Sequence, residues 1–134
     1  MVAADLDRGE KVAQKLMAAE MVRLGPNAPF DSARRKCQAR AIFKRAIERG
    51  NLLVAEVTAR EVGPLDLSEA LELTALVALR NRERSQRFAV RWLARWIEET
   101  EPTLEEVVMV AGCLAALGGP GHAAALEALR AAAG

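Results

Sequence analysis

The chain has 134 residues, 51% of them apolar and 28% charged, with a formal net charge of +1. That length suits one domain able to bury a core without a disulfide or metal, and the composition excludes a disordered chain. The near-zero net charge argues against a dedicated nucleic-acid binder and otherwise leaves the partner open.

Arginine outnumbers lysine fifteen to four, and tyrosine is absent. Ala, Leu, Arg and Glu, all good helix formers, are abundant, and no alternating β-branched run reads as a strand. Residues 1–10 carry acids and no apolar core, so they do not read as a signal peptide. The longest nearly uncharged stretch, 107–121, is too short and too glycine-rich at its end to span a bilayer. Cys37 and Cys113 lie far apart with no metal-ligand or redox spacing, so a reduced, cytoplasmic setting is expected.

The first predicted helix covers 7–24, with Ala13, Leu16, Met17 and Leu24 at helical spacing. Gly25 and Pro26 stop it, and 27–30 continue as a loop. Asp31 and Ser32 are N-cap candidates for a second helix with an apolar stripe of Ala39, Ile42, Phe43, Ala46 and Ile47. Gly50 ends it, Asn51 caps a third helix over 52–62, and Gly63-Pro64 closes the pair. Asp66 with Glu69 forms a capping box for a fourth helix, 67–80. Leu71, Leu73, Leu76, Val77 and Leu79 surround that helix almost completely, the pattern of a central, buried element.

Asn81 is the expected break before a fifth helix over 85–99. One face of it carries Ala89, Trp92, Leu93, Trp96 and Ile97, and the other Arg84, Arg87, Arg91 and Arg95. Thr103 with Glu106 repeats the start signal for a sixth helix, 104–117, again apolar nearly all round through Val107, Val108, Met109, Val110 and Leu114. Gly118, Gly119, Pro120 and Gly121 break it, and a seventh helix over 122–132 offers Leu126 and Leu129 to the core.

Pair starts near Ser32, Asp66 and Thr103 recur roughly every 35 residues, the footprint of stacked helical hairpins. The expected fold is therefore all-α: six or seven helices in antiparallel hairpins, as a compact bundle or a short TPR/HEAT-like superhelix. Residues 1–134 form one domain, with an N-terminal helix and loop over 1–31 and three hairpins over 32–134. The units share punctuation, not residues. Ala39-x-x-x-Phe43-x-x-Ala46 resembles the second helix of a tetratricopeptide repeat over eight residues, although Gly25, Pro26 and Pro29 stand where that family's first helix would be.

Charge falls in blocks of alternating sign. Residues 32–49 net +6, 50–79 net −4, 80–96 net +5 and 97–134 net −5. Two readings follow. Alternating helices can attract one another within the fold, with Arg95 and Glu99 as a surface pair. Alternatively, the arginine-rich faces bind a partner through Arg84, Arg87, Arg91 and Arg95, together with Arg34, Arg35, Lys36 and Arg40. On this second reading the chain is a non-catalytic interaction or adaptor module with a protein partner, including a second copy of itself. A rival function is a nucleic-acid-associated protein using the same faces on phosphates.

Trp92 and Trp96, one turn apart, are core residues or an interface anchor. Cys37 projects onto the polar side of its helix between Arg34 and Arg40, near the helix start, surroundings that suit a reactive thiol. Cys113 sits among apolar residues and reads as core. His122, the only histidine, has no cluster with which to hold a metal. The glycines at 118–121 lack the lysine and hydroxyl of a phosphate loop. Glu98 with Glu99, and Glu105 with Glu106, are adjacent on a helix and point about 100° apart, so neither pair forms a catalytic dyad. No catalytic residue, cofactor, metal or membrane contact is expected.

Overall fold

Helix accounts for 84% of residues 28–134, the part of the chain that the computed structural model describes, and these residues contain no strand. The elements are α1 (Ala28–Glu48), α2 (Leu52–Val62), α3 (Leu67–Arg80), α4 (Arg82–Thr100), α5 (Leu104–Ala116) and α6 (His122–Ala133). The helix expected over 7–24 and its Gly25-Pro26 stop lie outside the described residues.

The expected loop at 27–30 gives way to helix, because α1 already begins at Ala28. Pro29 is no obstacle there, since a first-turn residue has no intrahelical use for its N–H. Asp31 therefore sits within the first turn and complements the helix dipole instead of capping it. α4 likewise starts at Arg82, three residues earlier than its stripe suggests. Asn81 alone, at φ −145° and with its N–H donating to the Val77 carbonyl at 2.8 Å, separates it from α3.

The other turns follow the cap chemistry. Gly50 takes φ +68°, a left-handed conformation that favours glycine, and a Cβ there would stand 2.8 Å from the movable Nη2 of Arg80, so conformation and not space selects glycine. Asn51 Oδ1 accepts from the Val54 N–H at 3.2 Å. At the start of α3 the capping box is complete. The Glu69 N–H donates to Asp66 Oδ1 at 2.7 Å, and the Asp66 N–H donates to Glu69 Oε1 at 3.1 Å. The box before α5 is half made. Thr103 Oγ1 accepts from the Glu106 N–H at 3.2 Å, but its hydroxyl takes up the Glu106 carboxylate itself.

The helices pack principally as consecutive hairpins, α1 on α2, α3 on α4 and α5 on α6. α2 then packs on α3, α4 on α5, and α6 returns to α3. This is the stacked-hairpin architecture that the roughly 35-residue interval predicts.

α3 is the centre. Its Leu73 and Leu76 join Phe43, Ala46, Ala55 and Ala59 in one buried cluster. Its Leu71, Ala75 and Ala78 join a second cluster with Trp96, Leu117 and Leu129. Ala39, Phe43 and Ala46, the repeat-like fragment, are thus packing residues of α1. Trp92 and Trp96 are core residues, stacked with ring centroids 6.3 Å apart. Each indole N–H is satisfied, Trp92 by the Leu67 carbonyl at 2.9 Å and Trp96 by the Ala132 carbonyl at 3.1 Å. These bonds tie α4 to the start of α3 and the end of α6.

α5 does not repeat the behaviour of α3. Val110 and Leu114 are buried, but Leu104, Val108 and Met109 are 79%, 66% and 67% exposed. An all-round apolar sequence has here left one side of the helix open. Among the described residues, no helix is long and apolar enough to cross a membrane.

Candidate partner-binding groove

The alternating charge blocks act first within the fold. Arg40 Nε donates to Glu69 at 2.8 Å, linking α1 to α3. Arg130 makes a two-point contact with Glu72, at 2.6 and 3.1 Å, linking α6 to α3. That hydrogen-bonded carboxylate raises the Arg130 pKa still further, so its guanidinium stays charged. Arg84 Nη2 lies 2.7 Å from Glu56 Oε1, linking α4 to α2 as a charge pair and not as an aligned hydrogen bond. Within α4, Arg95 binds Glu99 at 3.1 Å, the i, i+4 pair expected from the spacing.

Three arginines of the stripe, Arg84 with its Glu56 partner included, converge in one place. A groove of about 420 Å³ runs between α2 and α4. Arg84, Arg87 and Arg91 of α4 and Arg60 of α2 line it, with Leu65, Leu73 and Phe88 supplying apolar surface. The Arg84 guanidinium lies over the Phe88 ring at 5.2 Å from its centroid, a cation–π contact that holds both groups in place. Glu56, on the same wall, fixes Arg84 from the other side.

Three of the four predicted α4 arginines thus share one site. Arg95 is not in its lining and is taken up by Glu99. Arg60 belongs to the site but is invisible to the sequence pattern. It is a lone base in an acidic segment, and only the packing of both α2 and α4 on α3 brings it into one groove with Arg84 and Arg87. The basic residues of α1 do not line the groove: α1 packs on α2 and α3, and Arg34, Arg35, Lys36 and Arg40 lie along it. Arg40 is engaged by Glu69, and Arg35 is half-buried, with Nε and Nη2 shielded from solvent and no hydrogen-bond partner among the described residues.

Cys37 is exposed on α1 and outside the groove, while Cys113 is half-buried against the second core cluster. Nδ1 of His122 lies 2.6 Å from the Leu117 carbonyl. A carbonyl only accepts, so Nδ1 carries the hydrogen and the ring ties off the turn after α5. Glu98 and Glu99 stand near the end of α4, and Glu105 and Glu106 in the first turn of α5. Among the described residues, no group of three or more His, Cys, Asp or Glu side chains could hold a metal ion. Comparison with known proteins returns no matching family model, no matching curated protein and no matching solved structure.

Proposed function

We propose that this chain is a non-catalytic helical interaction module that takes an acidic segment of a protein partner into the groove between α2 and α4. One observation carries the reading: Arg60, Arg84, Arg87 and Arg91, from two helices, line a single groove with Phe88 and Leu73 between them. Guanidinium groups offer paired donors that match a carboxylate, and their weak hydration suits a site with an apolar base. An acidic segment with an apolar residue among its carboxylates meets both features. The two free cysteines suit an adaptor acting in a reducing, cytoplasmic setting.

The rival reading places a nucleic-acid backbone on the same arginines. It draws less support, because α1 and α4 each pack on α3 and neither is the other's principal neighbour, so the two basic faces do not merge into one track. The test is fluorescence anisotropy with a peptide of interspersed glutamate and leucine, and in parallel with a single-stranded oligonucleotide. The peptide should bind the native chain, and Arg87→Glu with Arg91→Glu should weaken it by about tenfold or more without moving the thermal melt. Equal binding by the double variant would remove the groove from the site. Tight oligonucleotide binding that falls steeply with salt would favour the rival.

A further inference from the structure

The arginines of the groove between α2 and α4 are not equivalent. Arg87 and Arg91 are exposed, whereas Arg84 is half-buried and stands between two restraints. Its guanidinium lies over the Phe88 ring, 5.2 Å from the centroid, and its Nη2 lies 2.7 Å from the largely buried carboxylate of Glu56. Neither contact spends its donors on an acceptor. The first is to a ring, and the second is a charge pair without hydrogen-bond alignment. Among the described residues, the Arg84 guanidinium donates no hydrogen bond. Arg84 is therefore a planar fork of unspent donors, held in position before any partner arrives.

We infer that Arg84 is the anchor of the groove. It receives one carboxylate of the partner in a two-point contact, while Arg87 and Arg91 supply the positive field that draws the acidic segment in. The inference rests on the function proposed above and narrows it: the partner carries one anchoring glutamate or aspartate, and its other acids act by charge alone.

Restraint separates the two roles. A long exposed side chain loses rotamer freedom when it binds, and Arg84 has lost much of it already. Its fork matches the two oxygens of a carboxylate, and contacts of this kind against an apolar wall are where binding energy concentrates. Glu56 opposes much of the Arg84 charge at a distance, so long-range attraction falls to the exposed Arg87 and Arg91. Glu56 is then a positioning residue: it lowers the positive charge of the groove, yet it holds the group that makes the anchoring contact.

Stopped-flow fluorescence anisotropy of the full chain with the glutamate–leucine peptide tests the inference, because lysine in place of arginine keeps the charge and removes the fork. Arg84→Lys should weaken binding by about tenfold or more, chiefly through faster dissociation, and the loss should persist in added salt. Arg87→Lys and Arg91→Lys should each stay within about twofold of the native chain. Glu56→Gln makes the groove more positive, and on charge alone it would tighten the peptide. As the loss of a positioning residue it should weaken the peptide severalfold, with the thermal melt of the chain unchanged. Equal small effects of the three lysine variants, or tighter binding by Glu56→Gln, overturn the anchor and leave the interaction module in place. A native chain that does not bind the peptide removes both.

Discussion

α3 and α5 are both apolar nearly all round, yet α3 is enclosed on opposite sides and α5 on one. α3 receives α1 and α2 against Leu73 and Leu76, and α4 and α6 against Leu71, Ala75 and Ala78. Of its large apolar residues, Leu79 near the C-terminal end stays open. α5 packs on α4 and α6 through Val110 and Leu114, and leaves Leu104, Val108 and Met109 to solvent. The difference is topological. α3 stands in the middle hairpin, where the chain passes on both sides, and α5 stands in the hairpin that follows it. An all-round apolar helix requires cover on every side, and the sequence of the helix does not say whether its own chain supplies it.

Substitutions along the two helices sharpen the contrast. Leu71→Ala, in the cluster between α3, α4 and α6, should have the largest effect, destabilising the fold by about 2–5 kcal/mol in urea titration through lost burial and the cavity left behind. A loss under about 1 kcal/mol would place α3 outside the core. Asp66→Ala removes the acceptor for the Glu69 N–H and half of the capping box at the start of α3, and should cost about 1 kcal/mol. Glu72→Ala breaks the two-point contact with Arg130. Both side chains are partly in water, so the loss should stay under about 1 kcal/mol and shrink further with salt. Val108→Ala on α5 should be the mildest, within about 0.5 kcal/mol, although its neighbour Val110 is buried. A Val108→Ala cost approaching that of Leu71→Ala would erase the distinction between the two helices.

The local features of this fold are written in the sequence. The Asp66–Glu69 box, the left-handed Gly50, the Asn51 cap and the Asn81 break each depend on a few consecutive residues, and each is found where cap chemistry puts it. The stripe of Phe43 and Ala46 and the tryptophan pair are legible for the same reason, because helical spacing alone assigns them to an inner face. The start of α1 is not legible, since Pro29 signals a break in the interior of a helix but is accommodated in its first turn.

The candidate groove is legible only in part. Spacing places Arg84, Arg87, Arg91 and Arg95 on one side of α4, but it cannot tell that Glu99 engages Arg95, or that α2 brings Arg60 and Glu56 to the other three. Those facts depend on how α2 and α4 each pack on α3, and that is set by side chains distributed over all three helices. The open side of α5 is hidden for a related reason: burial belongs to the neighbours as much as to the helix.

Amide hydrogen exchange of the full chain, read segment by segment, addresses the α3–α5 contrast directly. The amides of α3 should exchange only through global unfolding, while those of α5 should exchange faster through local opening, because one side of that helix has no cover. Protection of α5 equal to that of α3 would contradict the contrast.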